Sequence, residues 1–297
     1  MKYFKTVIIS LILLQNLSFA QADSINKRKL NIYIGGNVLL YSGTFVALNK
    51  AWYEDYNKVK FHSFDDSGEW LQMDKAGHTF SAYYLSLIQY NWLRNVGFSN
   101  KKSLLIGSAL AFTYISTVEI FDGFSENWGA SFSDLTANFA GVALFSAQQY
   151  FWQKQIISLK FSFHTTQYPQ YRSELLGENI LQQILKDYNG QTYWLSVNLK
   201  SAFKNSKIPS FVNIAFGYGA EGMIGGHSNP QEIENMYPKE DWNRRRQFYL
   251  SPDIDFTKIK TRKKWLKTIF SILNVVKVPM PAVEFENNKV NFYYLLF

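Results

Sequence analysis

Residues 74–78 read Asp-Lys-Ala-Gly-His, residues 119–123 read Glu-Ile-Phe-Asp-Gly, and residues 134–141 read Asp-Leu-Thr-Ala-Asn-Phe-Ala-Gly. These three blocks place ionisable and polar side chains inside the most apolar part of a 297-residue chain. A charged or polar group in an apolar region is costly to bury unless a partner compensates it. The three blocks therefore indicate where a site lies, and the rest of the fold is interpreted outward from them.

Each block contains two polar residues that are three or four positions apart, the spacing that puts both on one face of a helix. The first and third blocks lie at predicted helix starts, and the second lies at a predicted helix end. If successive helices alternate in direction, both starts and that end meet on one side of a bundle. One imidazole, four carboxylates and one amide are then predicted to converge, from the pairs Asp74 with His78, Glu119 with Asp122, and Asp134 with Asn138.

Apolar helical windows account for most of the first half of the chain. Residues 30–49 carry no charge and are long enough to cross a bilayer, but the Asn and Gly residues among them fit a buried bundle helix equally well. Three further windows follow with very few ionisable residues. The first half thus predicts a bundle of about four helices, over residues 30–49, 76–92, 103–118 and 135–153.

The second half changes to alternating polar and apolar residues, which predicts strands. Residues 261–278 interrupt this pattern with a basic start and an apolar body, typical either of a helix in a membrane interface or of an ordinary packed helix. The expected fold class is α+β, with an apolar helical bundle at residues 21–155 and a β-rich region at residues 156–297 that contains one basic amphipathic helix. The predicted strands cover residues 158–164, 192–199, 211–218, 247–256 and 290–297.

The first twenty residues predict a secretory signal peptide. Lys2 and Lys5 precede an apolar run over residues 7–14, and Ala20 ends a stretch suited to cleavage. The chain contains no cysteine, which excludes disulfides and acylation on a cysteine. Its net charge of +8 and its aromatic content of 18% favour a membrane lipid or another envelope protein as the partner. No nucleic-acid-binding motif is present.

The polar cluster has three interpretations. His78, Glu119, Asp122 and Asp134 are candidate ligands of a divalent metal. His78 and Glu119 are alternatively a catalytic acid–base pair. In the third interpretation the cluster is a structural network, in which Asp74 and Asp134 cap helices and Lys75 neutralises an acid. Candidate binding residues are Asp74, Lys75, Asp122, Trp128, Ser131 and Asn138.

The order of these blocks resembles a known family. The pattern runs from Asp74-Lys75-x-x-His78 through Glu119-x-x-Asp122 to Trp128-Gly129-x-Ser131-Phe132-x-Asp134-Leu135-x-x-Asn138-x-x-Gly141. It is similar to the YfiM-type domain-of-unknown-function family of bacterial envelope proteins, and more distantly to the VanZ-like membrane domain. The residues at 186–196 resemble a longer, Bacteroidota-type form. The resemblance implies an envelope location and no established activity.

The sequence therefore predicts an exported, membrane-associated envelope protein of structural or binding type. The alternative is a metal-assisted or acid–base hydrolase that acts on an envelope lipid or glycan. Aromatic residues close the last predicted strand, as in many outer-membrane proteins, which favours the outer over the inner membrane. No nucleophile elbow, P-loop or dinucleotide fingerprint is present.

Overall fold

The structure is a computed structural model that describes residues 24–50, 57–231, 242–287 and 289–296. The predicted signal peptide at residues 1–20 lies outside these ranges, as do the aromatic residues Trp52, Tyr53 and Tyr56. The described chain is a mixed α+β structure. Its long helices are N-terminal, and its C-terminal half forms a six-stranded antiparallel sheet.

Each long helix begins three residues before the apolar window that predicts it. The extra residues belong to first turns, which are polar because their backbone N–H groups lack partners inside the helix. Apolar periodicity therefore becomes visible only after the helix has started. The four helices are α1 (Lys27–Leu48), α2 (Met73–Val96), α3 (Asn100–Asp122) and α4 (Phe132–Trp152).

Serine side chains cap two of these helices. Ser99 caps α3 and Ser131 caps α4, and each hydroxyl accepts a hydrogen bond from the backbone N–H three residues further on. The interpretation in which Asp74 and Asp134 are the caps is wrong. Both lie in the first turns of α2 and α4, where the helix dipole favours a carboxylate. These carboxylates are thus free to point at other groups.

Helix α2 packs closely against α4 at a glycine. A Cβ atom added to Gly141 would lie 2.1 Å from the backbone oxygen of Thr79. A side chain at this position is therefore incompatible with the observed separation of the two helices. The Thr79 hydroxyl also donates a hydrogen bond of 3.1 Å to the backbone oxygen of Ala137. This close approach brings the starts of α2 and α4 together.

Among the described residues, one helix is long and apolar enough to cross a membrane, and it is α3 rather than the predicted window at residues 30–49. Only 22% of its apolar window is buried within the protein. The core helix of a soluble protein can have the same length and composition. These two properties therefore do not assign α3 to a membrane.

An unusual turn precedes α2. Trp70, Leu71 and Gln72 have φ values of 46°, 49° and 63°, so three consecutive residues other than glycine adopt the left-handed conformation. This conformation costs free energy for each residue and persists only where surrounding contacts enforce it. The C-terminal sheet supplies such a contact, because the Tyr218 hydroxyl donates a hydrogen bond to the Leu71 backbone oxygen. The turn folds the preceding loop back over the start of α2.

The sheet is an antiparallel meander in which each strand pairs with the next in sequence. Strand β5 was not predicted, because Pro281 and a register irregularity between Met280 and Ala282 interrupt its pattern. Three short helices were not predicted either: α5 (Ser173–Leu176), α6 (Ile180–Lys186) and α7 (Leu199–Ala202). The strands are β1 (Ile157–Phe163), β2 (Gln191–Asn198), β3 (Val212–Glu221), β4 (Arg245–Ile254), β5 (Met280–Glu286) and β6 (Lys289–Leu296). Helix α8 (Lys264–Leu273) lies between β4 and β5.

The inner face of the sheet is polar, and the sheet curls around it. Lys160 on β1 forms an ion pair of 2.8 Å with Asp253 on β4, and both side chains are fully buried. Since β1 and β4 are not neighbours in the sheet, this contact requires the strands to curve towards each other. The Ser196 hydroxyl on β2 donates a hydrogen bond of 2.6 Å to Asp253. The buried charges are therefore paired, as buried charges must be.

The opposite face of β1 and β2 packs against α2. Phe80 of α2 lies 6.0 Å from Phe161 and 5.7 Å from Tyr193, measured between ring centroids. The Tyr84 hydroxyl donates a hydrogen bond of 2.6 Å to the Leu159 backbone oxygen. These contacts join the helices to the sheet on one side of α2, and the polar site lies at the start of that helix.

Candidate functional site

Lys75 lies at the centre of three carboxylates. Its Nζ atom is 2.7 Å from Asp66 Oδ2, 2.8 Å from Asp74 Oδ2 and 2.9 Å from Asp134 Oδ1. The contact with Asp134 is an ion pair without the angle of a hydrogen bond. Burial by itself would lower the pKa of Lys75, but the carboxylates outweigh it and raise this pKa above its ordinary value. Lys75 is thus a fixed positive charge.

Asp66 joins the cluster from the loop that precedes the left-handed turn. The hydroxyls of Ser131 and Ser133 donate hydrogen bonds of 2.5 and 2.6 Å to its Oδ1 atom. Burial would raise the pKa of Asp66, but hydrogen bonds with Asp134, Lys75 and the two serines outweigh it and lower this pKa below its usual range. Asp66 therefore anchors the loop as a stable carboxylate.

His78 lies one helical turn after Asp74 and contacts three neighbours. Its Nδ1 atom is 3.0 Å from Asn138 Oδ1 and 3.8 Å from Glu119 Oε1, and its Nε2 atom is 3.8 Å from Asp134 Oδ2. An amide oxygen only accepts hydrogen bonds, so the proton of the neutral ring lies on Nδ1. Nε2 is then the free ring nitrogen, and it faces the Asp134 carboxylate.

Glu119 is the most deeply buried acid of the cluster, with 2% of its surface exposed. Its Oε2 atom accepts a hydrogen bond of 3.2 Å from the Ser131 backbone N–H, whereas Oε1 is buried without a hydrogen-bond partner. Burial raises the pKa of Glu119 to about 9, and the charges of Asp134 and Asp122 add to this effect. A buried carboxyl oxygen without a hydrogen bond among the described residues is costly, which makes Oε1 a candidate ligand atom for a cation.

Three residues place ligand atoms close enough to share one cation. One ligand atom each from His78, Glu119 and Asp134 lies within 4.8 Å of the others. Atoms that each bind a common ion at about 2.1 Å lie at most about 4.2 Å apart, so these side chains need to move by less than about 1 Å to bind one. Burial raises the pKa of Asp134 to about 6, against the opposing effect of His78.

A cavity of about 200 Å³ lies beside these residues. Its lining combines ionisable side chains, among them His78, Asp74 and Asp134, with aromatic rings. Trp70 and Tyr188 lie 5.3 Å apart, measured between ring centroids. A small cavity with both polar and aromatic lining suits a ligand that combines a charged group with an apolar part. The aromatic lining residues are Phe64, Trp70, Trp128 and Tyr188.

The predicted site residues separate into three groups. His78, Glu119, Asp134 and Asn138 meet directly, and Asp74, Lys75 and Ser131 form the adjoining network. Asp122 and Trp128 line the cavity. Asp122 is the last residue of α3 and lies outside the group of ligand atoms within 4.8 Å, and its role as a metal ligand stays a prediction.

Sequence reasoning missed Asp66, Ser133 and Tyr188. Asp66 is absent from the predicted site residues, because no helical spacing connects it to Asp74 across the left-handed residues. Tyr188 comes from a segment more than a hundred positions after Asp74 in the chain. The concentration of acids at residues 65–74 was the one available signal for Asp66, since neighbouring acids require a cation.

Residues 63–150 match the model of a family described as "Predicted periplasmic lipoprotein (DUF2279)". This range contains α2, α3, all but the last two residues of α4, and every residue of the polar cluster from Asp66 to Asn138. No curated protein and no solved structure matches the chain. The similarity indicates an exported protein of the cell envelope whose function is unknown. The chain has no cysteine, so the lipid anchor in that description is not carried over to it.

Proposed function

We propose that this chain is a membrane-associated envelope protein of binding type whose polar site holds a divalent metal ion between His78, Glu119 and Asp134. The observation that carries the proposal is the buried Glu119 Oε1 atom. It has no hydrogen-bond partner among the described residues, and Glu119 belongs to the three residues whose ligand atoms lie within 4.8 Å of one another. A cation bound there would supply the missing partner and replace the proton that Glu119 otherwise retains.

The atoms behind the three ligands support the proposal. Metal-binding histidines usually donate their second ring N–H to a protein oxygen, and ligating carboxylates are themselves held by hydrogen bonds or ion pairs. All three side chains have such support at the atom that would not bind the ion. Asn138 holds His78 Nδ1, Lys75 holds Asp134 Oδ1, and the Ser131 N–H holds Glu119 Oε2.

The ligand chemistry favours a borderline transition ion such as Zn²⁺. Imidazole nitrogens and carboxylate oxygens are both zinc ligands, and three protein ligands leave a fourth position for water or a ligand. Mg²⁺ prefers oxygen ligands and retains several waters, so a histidine-containing site disfavours it. The second acidic group, made of Asp66, Asp74 and Asp134, already contains the Lys75 ammonium. We therefore assign one ion to the site.

The membrane association in this proposal has separate support. Many large apolar side chains on α1, α3, α4 and the outer face of the sheet are exposed, which is more than a freely soluble protein usually tolerates. The antiparallel sheet with its polar inner face favours the outer over the inner membrane. The YfiM-type resemblance implies a location in the cell envelope. Membrane fractions that release the protein in high salt alone would contradict an integral attachment.

Thermal unfolding in the presence of metal ions tests the binding proposal. An ion that binds only the folded chain at one hundred times its dissociation constant stabilises it by about 2.7 kcal/mol. We expect Zn²⁺ to raise the melting temperature of the chelator-treated protein, and Mg²⁺ to have little effect. The His78→Gln variant should lose the Zn²⁺ response, and the exposed-site control His164→Gln should keep it. An equal response in both variants would place the ion elsewhere.

The cavity beside the ligands favours hydrolysis as a second candidate function. A metal ion with an open position polarises an ester or phosphoester, and the aromatic lining would hold an apolar substrate group. In a metal-assisted reaction on an envelope lipid or glycan, His78 and Glu119 would hold the ion, whereas without a metal they would be the catalytic acid–base pair. Turnover of a lipid or glycan ester by the wild type that disappears in a folded Glu119→Gln variant would support this function. Metal binding without turnover of these esters would support only the binding function.

A further inference from the structure

Helix α8 presents an apolar stripe that no other part of the described chain covers. None of its ten residues is buried. Trp265 is 59% exposed and Ile272 is 64% exposed, and Ile269, Leu273 and Val276 continue the same stripe. These positions are spaced by three or four residues, which places them on one face. Removing this apolar face from water would lower the free energy of the helix.

The start of α8 is basic, which is unfavourable for the helix itself. Lys263 is the N-cap residue and Lys264 begins the helix, with no acidic residue in the first turn. Cations are disfavoured at this end, because the helix dipole and the unpaired N–H groups are already positive there. The same end therefore attracts an anion strongly.

A cavity of about 420 Å³ lies between α8 and the segment that precedes it. Among the described residues, three lysines line it and no acidic residue does. None of the three is within ion-pair distance of a carboxylate in the part of the chain that the structure describes. The Thr261 hydroxyl accepts a hydrogen bond from the Lys263 backbone N–H and keeps its own proton for a further donor. The rings of Phe256 and Phe270 stack 6.1 Å apart at the side of the cavity. The polar lining residues are Thr257, Lys258, Lys260, Thr261, Lys267 and Ser271.

We propose that this cavity binds the phosphate headgroup of an anionic phospholipid while the apolar stripe of α8 inserts into the surface of the same bilayer. Charge complementarity selects the occupant, since unpaired lysines and hydroxyls surround a headgroup-sized space. The adjacent stripe of Trp265, Ile269 and Ile272 matches the acyl region just below the headgroups. A peripheral helix of this kind lies in the interface and does not cross the membrane.

This inference rests on the proposed membrane association and deepens it by naming the surface and the class of lipid. It does not depend on the metal site, which involves α2, α3 and α4. Membrane fractionation of the unaltered protein tests association in general. The variants described next test whether α8 and its cavity cause that association, so the two failures are distinguishable.

Vesicle flotation of the mature chain, without the predicted signal peptide, tests the proposal. The protein should float with vesicles of phosphatidylcholine mixed with phosphatidylglycerol, and less with phosphatidylcholine alone. Replacing Lys258, Lys260 and Lys267 together by Gln should weaken binding to the mixed vesicles by roughly 100-fold, at about fivefold for each lysine. The matched control replaces the exposed Lys27, Lys101 and Lys154 by Gln and should retain wild-type binding.

A second variant examines the apolar stripe without touching the cavity. Trp265→Ser with Ile272→Ser should weaken vesicle binding by at least about tenfold, and folding should persist because both side chains are exposed. Equal binding to charged and uncharged vesicles would overturn the proposal. Binding of inorganic phosphate without any binding to vesicles would also overturn it, because the cavity would then be a site for soluble phosphate. A dimer that dissociates in the Trp265→Ser variant, again without vesicle binding, would identify a second copy as the occupant.

Discussion

His78 Nε2 and Asp134 Oδ2 face each other at 3.8 Å across the starts of two helices, α2 and α4. The distance is too long for a hydrogen bond and matches two atoms that share a ligand between them. Each residue is fixed from behind, His78 by Asn138 and Asp134 by Lys75. The pair is therefore preorganised, and the predictions below examine what fixes it and what it binds.

The raised pKa of Glu119 predicts a pH-dependent stability in the metal-free protein. The folded state keeps the proton up to about pH 9, whereas the unfolded chain releases it above about pH 4.5. In this window the unfolded state binds fewer protons, so the free energy of unfolding falls as the pH rises. At pH 7 the loss amounts to about 3 kcal/mol.

The Glu119→Gln variant should remove this dependence. Between pH 5 and pH 7, the free energy of unfolding measured with denaturant should fall by about 2.5 kcal/mol more in the wild type than in the variant. Glu174→Gln is the control, because Glu174 is largely exposed and should not alter the slope. Parallel pH profiles for wild type and Glu119→Gln would contradict the assignment of a protonated, buried Glu119.

Loss of the Lys75 charge should destabilise the fold. Lys75→Met leaves Asp66, Asp74 and Asp134 close together without a cation, and breaking a buried ion pair costs about 3–5 kcal/mol. Chemical unfolding at pH 7 measures this loss. Lys101→Met, at an exposed position, should change stability by less than about 0.5 kcal/mol. A neutral effect of Lys75→Met would show that the three carboxylates do not depend on this ammonium.

Gly141→Ala should force α2 and α4 apart. The added methyl group would meet the Thr79 backbone oxygen at 2.1 Å, and a backbone atom cannot rotate away. We expect a loss of about 1–3 kcal/mol, together with weaker metal binding because His78 and Asn138 separate. Gly35→Ala on α1 has open space around it and should instead raise stability by about 0.5–1 kcal/mol. If both substitutions stabilise the protein, the close approach is wrong.

Tyr218→Phe examines whether the sheet supports the site. The variant loses the hydrogen bond to Leu71, which costs about 1 kcal/mol, and releases the left-handed turn that positions Asp66. Metal affinity should fall along with the unfolding free energy. Tyr294→Phe, at an 83% exposed residue, is the matched control. If stability falls and metal affinity is unchanged, the left-handed turn does not influence metal binding at the site.

Much of the site was predictable because helical spacing is a local property. Asp74 with His78, Glu119 with Asp122, and Asp134 with Asn138 share faces through spacing alone. Their meeting required only that successive helices alternate in direction. The role of Asp66 was not predictable, because three left-handed residues depend on contacts with Tyr218 and other distant groups. The position of Asp122 outside the group of ligand atoms within 4.8 Å likewise depends on how α3 packs.

The fold shows the same division between local and distant causes. The apolar windows located all four long helices but missed their polar first turns. Strand β5 escaped detection because Pro281 and an irregular register hide its alternation. The curl of the sheet comes from Lys160 and Asp253, which are 93 positions apart in the chain, and no spacing rule connects them.

Quantitative metal analysis of the purified chain tests the central claim most directly. After chelation and dialysis against Zn²⁺, we predict one ion per chain. We expect none to be retained by His78→Gln or Asp134→Asn, and a 10- to 100-fold weaker affinity in Asn138→Ala, which loses only the support of the histidine. His164→Gln should bind like the wild type. Wild-type zinc content in His78→Gln, or no bound zinc in the unaltered chain, would contradict the proposed metal site.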